Sequence, residues 1–560
     1  MDATHDVLVV GGGLTGMRAA VEAHDLGADV AILSKLHPTR SHSGAAEGGI
    51  NAALGNASED SPEEHAYDTV KGSDYLGDQD AIEVLCNEAP GDVYQLERWG
   101  AVFSRTADGR IAQRPFGAAG EPRTAYAADI TGHVLIQVLY EQVMRRAIPT
   151  YEEFFAWKLV VDDGRCQGVI AWDLLNGGLH AIGAKTVVLA TGGPARMYAG
   201  STNAYACTGD GMGMALRAGV PLEDMEMMQF HPTTLASNGV LITEGCRGEG
   251  AYLLNKNAER FMVRYAPNAM ELASRDVVSR AEQVEIDEGR GVEGNVFLDL
   301  RHLGAERILE ALHGTRELAM TFAHVDPIYE PIPVRPGAHY HMGGIDTDVH
   351  GRTSLEGLYA GGEAACVSVH GANRLGGNAL METITYGKRA GRHAAEWALS
   401  HTTVTVPPSL EADSERELRT LLDRTDGERP WVIREELATT MHDNFGVFRR
   451  EDQMLEQGEI VRGLRERYER VVVDDKGEVF NNDLTQALEL GFMLEIAQCM
   501  VVAGLARKES RGAHARPYDF PSRDDENYLK HTLVTWEDGE PRVDWRPVTI
   551  TKWQPQERTY

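Results

Sequence analysis

Apolar runs of two kinds organise this chain. Short unbroken runs ending in glycine read as buried parallel strands: DVLVV at 6–10, ADVAILS at 28–34 and TVVLATGG at 186–193, with GLYAGGEAA at 357–365 repeating the design. Between the first two, MRAAVEAHDLG spaces its apolar positions as a helix and closes on Gly27. Strand, Gly11-Gly12-Gly13-Leu14-Thr15-Gly16, helix and strand follow in the order that a nucleotide-binding G-x-G-x-x-G loop requires. Gly11 and Gly13 let the backbone approach a pyrophosphate, and Gly16 lets the helix pack on the sheet. An NAD enzyme carries an acid about 20 residues further on to hold the ribose, yet here the second strand ends in Ser34-Lys35, which counts against a simple NAD enzyme. Strands that reach one nucleotide from distant parts of the chain predict a discontinuous domain, with an insert at about 231–340.

From about 405 the pattern turns helical. Ile433, Leu437 and Met441, then Ile460, Leu464 and Tyr468, recur every four residues with charge between them, which predicts the core of a helical bundle. The tail from about 515 is rich in Pro, Asp and aromatic residues and reads as irregular structure docked on the body. No run is seen to approach the roughly 18 to 20 apolar residues that span a bilayer, and MDATHDVLVV leads straight into a strand, so neither a membrane span nor a secretion signal is expected.

Composition narrows the function. A length of 560 residues suits three or four units. The 54 basic and 85 acidic residues leave a net charge of −31, which argues against nucleic acid as a partner because phosphate binding needs basic patches. Only ten of the 54 cations are Lys, and an acidic, Lys-poor surface predicts self-repulsion that eases as salt is added. Six cysteines without a C-x-x-C pair signal neither a disulfide framework nor a cysteine-held iron–sulfur cluster, so they are read as reduced, mostly buried thiols.

The candidate chemistry lies where glycines surround polar groups that no core would choose. QFHPT (229–233), LITEGCRGEG (241–250), HYHMGG (339–344) and HGANRLGGNAL (370–380) each read singly as a turn; together they predict a polar pocket built from separate loops. A fifth stretch, PTRSHSGAAEGGI at 38–50, sets a histidine among small residues beside the glycine-rich loop.

These stretches, with DMEMMQFHPT, RDVVSR, HDNFGVFR and SRGAHARPYDFPSRDDEN in the same order, closely resemble the flavoprotein subunit of succinate dehydrogenase and fumarate reductase, and succinate dehydrogenase most of all. The resemblance implies an α/β fold: a discontinuous Rossmann-like FAD-binding domain (1–230 and 341–400), an inserted α+β capping domain (231–340), a helical domain (405–514) and a small C-terminal domain (515–560). It implies that the R-S-H histidine, His42, is bonded to the 8α carbon of FAD, an electron-withdrawing link that makes the flavin a better oxidant. It places FAD contacts at Gly11, Gly12, Gly13, Leu14, Thr15 and Gly16, and at Ser34, Lys35, Thr39, Arg40, Ser41, Ser43, Ala46, Glu47, Gly48 and Gly49. Further contacts fall at Asp210, Glu363, Ala379 and Leu380. The family usually has Ser where Ala379 stands, so only backbone contact carries over there.

For a four-carbon dicarboxylate, the likeness assigns Arg374 and His339 to one carboxylate and His231 and Thr243 to the other, with Phe116 packing on the carbon chain. The second glycine usual after that Phe is Ala118 here. Arg275 is implied as the proton shuttle, relayed by Glu244 and Arg247; a free guanidinium, with a pKa of about 12.5 to 13.8, could do this only when buried near other cations. No metal site is implied. The expected reaction is hydride transfer from succinate to FAD, with electrons leaving through a separate iron–sulfur subunit and membrane anchor subunits to a quinone, the chain lying peripherally on the cytoplasmic side of the membrane. The alternatives are a fumarate reductase running in reverse, since Glu47 stands where many succinate dehydrogenases have Gln and some fumarate reductases Glu, then L-aspartate oxidase, against which the R-S-H motif speaks, and a flavoprotein that only relays electrons.

Overall fold

The computed structural model describes residues 3–402 and 406–559, so the expected helical-domain boundary at 405 lies outside the described residues. Strand Ala3–Val10 pairs in parallel with Val30–Ser34 on one side and Leu179–Leu189 on the other. Val30–Ser34 is flanked by Thr150–Glu152, and Leu358–Ala360 joins the far edge of Leu179–Leu189. The helix Leu14–Asp25 crosses between the first two strands, the right-handed route by which parallel strands connect. All five residues of Val30–Ser34 are buried, which is why this run shows no polar alternation. Because these strands end together, Gly11, Leu189 and Ala360 bring three distant segments to one edge, where a ligand of an open α/β sheet sits.

A four-stranded antiparallel sheet, Met228–Thr234, Ile332–His341, Val296–Asp299 and Tyr252–Leu254, projects from this body. It covers a separate core that includes Leu253, Val278, Leu298, Ile308 and Val334. Its first two strands carry His231 and His339, so sheet register decides where those imidazoles stand.

The bundle stripe is confirmed in its strongest positions: Ile433, Leu437, Met441 and Leu464 are buried, whereas Ile460 and Tyr468 pack partly buried against the same core. Each fully buried side chain of this size contributes about 1.5–3 kcal/mol, and Leu437→Ala alone should cost about 2–5 kcal/mol.

Two expectations are corrected. The helix Asn482–Ala506 is 25 residues long with a mean hydropathy of 1.6, enough by length and composition to cross a membrane. Its most apolar window is 83% buried inside the protein, so it serves as the core helix of the bundle; scattered polar residues such as Glu489 and Gln498 had disguised the run. The tail is also less irregular than expected: Lys530–Glu537 and Glu540–Pro547 form a hairpin that extends a five-stranded sheet through Leu222–Glu223. The Asp538-Gly539 turn between them, both at positive φ, is the hairpin signal that the Pro-rich surroundings obscured. All six cysteines are buried and free, as expected.

Candidate active site

One cavity of about 770 Å³ runs from the glycine-rich loop to the antiparallel sheet. At one end stand Gly11 to Thr15, with the N-terminus of the helix Leu14–Asp25 directed at the space. Unpaired backbone N–H groups and the helix dipole make such an end an anion site. Gly11 has φ +116°, and a Cβ there would fall 2.2 Å from Ala190 O. A Cβ on Gly16 would fall 1.9 Å from Gly11 O, so Gly16 seats the helix on the loop and does not line the cavity.

Ser34 and Lys35 line the same end. The Lys35 ammonium donates to Asp210 Oδ2 and to Glu489 Oε1, both at 2.7 Å, and these charges hold it protonated. Sequence reasoning had found Lys35 and Asp210 but not Glu489, which comes from the core helix of the bundle.

Ser41, His42, Ser43, Ala46, Glu47, Gly48 and Gly49 form the cavity's middle wall, and Glu363, Ala379 and Leu380 close it from the other side. Thr39 and Arg40 do not line it: Thr39 engages His37, and Arg40 is exposed. The His42 imidazole receives the Ala204 N–H on Nδ1 at 3.4 Å, and burial lowers its pKa to about 4, so it is neutral with Nε2 uncommitted. Ser41 Oγ and Glu47 Oε2 are buried without hydrogen-bond partners. Burial, with Asp129 adding repulsion, pushes the Glu47 carboxyl up to about 8, and burial pushes Glu363 up to about 7. A glycine cradle, a helix N-terminus and unbonded polar atoms turned to one space are what a bound FAD requires, and these residues fit it.

At the other end the cavity becomes cationic. Arg275 begins the helix Arg275–Asp287; its Nε donates to Glu244 Oε2 at 2.6 Å and its Nη1 to Gln229 Oε1 at 3.1 Å, leaving Nη2 uncommitted. Arg247 lies behind Glu244, Nη2 3.6 Å from its Oε2, and does not line the cavity. Burial would raise the Glu244 carboxyl, but the charges of Arg275 and Arg247 overcome it and hold it at about 2. Burial lowers the Arg275 guanidinium and Arg247 adds to that, against the pull of Glu244.

Arg374 lies 4.3 Å over the Tyr340 ring, its Nε buried without a partner. Burial and repulsion from Arg275 lower it to about 9. The His231 and His339 rings stand 4.8 Å apart, and burial followed by the Arg275 charge keeps both neutral. His339 Nδ1 is held by Thr202 Oγ1 at 2.8 Å, and His231 Nδ1 receives the Thr233 N–H at 3.2 Å, so each ring presents its other nitrogen. Thr243 and Phe116 complete this end. Ala118 sits at φ +62°, the left-handed conformation natural to glycine, so its side chain is held there at a steric cost.

Gln229 was missed, although it lies in the QFHPT stretch. Besides receiving Arg275, its amide donates to Arg374 O at 2.8 Å and Asn373 Oδ1 at 2.9 Å, tying the two arginines into one frame. Arg114, which donates to the Gly48 and Glu47 carbonyls, was also missed; it lies beside Phe116 in QRPFG.

The fold and this cavity define a flavoprotein oxidoreductase. The sequence matches the FAD binding domain family over residues 6–380 and the fumarate reductase flavoprotein C-terminal family over 434–560. It is 47% identical to a succinate dehydrogenase flavoprotein subunit of Rickettsia conorii, covering 98% of this chain and 95% of that one. It is 46% identical to a fumarate reductase flavoprotein subunit of Mycobacterium tuberculosis over the full length of both. A mutant E. coli quinol fumarate reductase chain superposes with a TM-score of 0.97 at 41% identity, covering 100% of this chain and 99% of that one. The chain belongs to the succinate dehydrogenase and fumarate reductase flavoprotein family.

Proposed function

We propose that this chain is the flavoprotein subunit of a succinate:quinone oxidoreductase, oxidising succinate to fumarate. The observation that carries this reading is the meeting of Arg275, Arg374, His231 and His339 at one end of a cavity whose wall bears His42. Two guanidiniums and two neutral imidazoles suit a dianion with a carboxylate at each end: Arg374 can grip one in a bidentate fork beside His339, and His231 and Thr243 serve the other. When bound, FAD supplies the hydride acceptor. The chain's own task is the proton. Arg275 Nη2 takes it from the carbon next to the hydride donor, and Glu244 and Arg247 exchange it onward.

His42 is the residue that would carry FAD covalently; its neutral ring with Nε2 free supports that role. Residues 231–340 act as the cap, since Val240, Leu241, Gly314, Leu318 and Thr321 overhang the cavity. A separate iron–sulfur subunit accepts the electrons, and membrane anchors that deliver them to quinone hold the chain at the cytoplasmic face. Fumarate reduction uses the same groups in reverse, and the Glu47 carboxyl against the cavity wall suits that second reading.

The test joins two measurements. Purified enzyme should reduce a dye with succinate and be inhibited by malonate, and the acid-denatured polypeptide should retain flavin on the peptide containing His42. Release of all FAD by acid would refute the covalent link, and absence of any succinate-dependent reduction would refute the activity.

A further inference from the structure

The Arg374 guanidinium is a cation in a place that disfavours one. Its Nε is buried without a hydrogen-bond partner, and burial and the Arg275 charge both work against it. What it faces is the Tyr340 ring, whose centroid lies 4.3 Å from the guanidinium carbon. An aromatic face attracts a cation, most strongly where water is excluded.

Tyr340 adjoins His339 on the strand Ile332–His341 and lines the cavity. Its hydroxyl donates to Glu382 Oε2. Glu382 stands one turn into the helix Asn378–Leu399, almost wholly buried, and does not line the cavity. The same carboxyl oxygen lies 2.9 Å from His370 Nε2, and the His370 and Tyr340 rings stand nearly perpendicular with centroids 5.3 Å apart. Tyr340 therefore meets both ends of the HGANR segment, His370 and Arg374, and Glu382 fixes its hydroxyl. Burial, and the Glu382 charge after it, drive that hydroxyl well above its ordinary value, so it stays protonated and remains the donor.

A phenol that donates to a carboxylate gains electron density over its ring, which makes the face under a cation more negative. A buried carboxyl is costly, and an apolar side chain of similar volume would pack in its place without that cost. We propose that Glu382 is a positioning residue for substrate binding: through the Tyr340 hydroxyl it fixes the ring on which Arg374 rests and strengthens the hold of that ring on the guanidinium. The proposal rests on the reading of Arg374 as the grip on one substrate carboxylate. Glu382 touches no substrate, and its effect passes through one hydrogen bond and one ring face.

The test uses holoenzyme variants Tyr340→Phe, Glu382→Met and Glu382→Gln, and the double variant Tyr340→Phe/Glu382→Gln. Malonate affinity is measured by equilibrium binding, and KM and kcat by succinate-dependent dye reduction. Tyr340→Phe and Glu382→Met should each raise the malonate Kd and the succinate KM about three- to tenfold, with a smaller fall in kcat. Glu382→Gln keeps an acceptor without the charge and should lie between Glu382→Met and wild type. The double variant should bind malonate within about twofold of its weaker-binding single, because both changes break one hydrogen bond. Malonate affinities within about 1.5-fold of wild type in all three single variants would overturn the proposal. So would a double variant whose loss equals the product of the singles, a fall in kcat with KM unchanged, or a change confined to melting temperature. Should Glu382→Met not fold, Tyr340→Phe, Glu382→Gln and their double variant decide the matter. Arg374→Gln separates the layers: if it loses malonate while the other variants bind it normally, only the role of Glu382 fails, whereas wild-type affinity in Arg374→Gln removes the carboxylate grip itself.

Discussion

Glu244 receives Arg275 Nε–H on one carboxylate oxygen and the Gly117 N–H on the other, at 2.6 and 2.7 Å, with both side chains almost wholly buried. The carboxylate is thereby clamped between the helix Arg275–Asp287 and the loop that carries Phe116. It fixes the guanidinium in orientation while leaving one of its terminal nitrogens for the substrate.

Arg275→Ala and Arg275→Lys should therefore separate binding from turnover. Flavin content and malonate affinity should hold, because Arg374, His231, His339 and Thr243 remain, while kcat falls by roughly three orders of magnitude. Equilibrium binding of malonate and steady-state dye reduction measure the two quantities, and a near-normal kcat would exclude Arg275 from the proton transfer.

The same pair sets an acid limit. The Glu244 carboxyl, ordinarily at 4.5, is held at about 2 in the folded protein. A depressed carboxyl contributes stability that is complete above its unfolded value and disappears as pH falls through the folded one. Wild type should thus exceed Glu244→Gln by ~3 kcal/mol at pH 7, with the gap closing between about pH 4.5 and 2. Denaturant unfolding of both proteins across that range checks it; a gap independent of pH would refute the assignment.

Arg558, two residues before Tyr560, donates to Asp276 Oδ2 at 2.7 Å and lies 3.0 Å from Asp74 Oδ2, so the tail is strapped to the residue adjoining Arg275. Arg558→Ala leaves Asp276 with Arg280 alone among its cations and should cost about 2–4 kcal/mol. It should also lower kcat more than it raises KM, because the first turn of the helix Arg275–Asp287 loses its anchor. Thermal unfolding and steady-state kinetics test both; unchanged stability would show the contact to be idle.

Much of this was legible in the residues. The strand–loop–helix order at 6–34 follows from local pattern, since a wholly apolar run and a glycine turn leave the backbone few options. His42, His231, His339 and Arg374 stood out because polar groups set in glycine-rich loops have no core to join, whereas Arg275, in the helical run ASRDVVSR, was marked by the family resemblance alone. Glu489 and Gln229 did not stand out: each sits in an ordinary helical or strand context, and its partner lies at least 46 positions away. The tail hairpin was hidden for a related reason, as its register depends on pairing with Leu222–Glu223, some 300 residues earlier.

By itself the sequence determined the nucleotide-binding unit, the family and the identity of the polar groups, because those depend on residue type and short-range spacing. Only the tertiary structure decided which nitrogen of Arg275 is free and which carboxyls are ionised. Those properties arise from burial and from charges brought together across hundreds of residues, and distance along the chain does not encode distance in space.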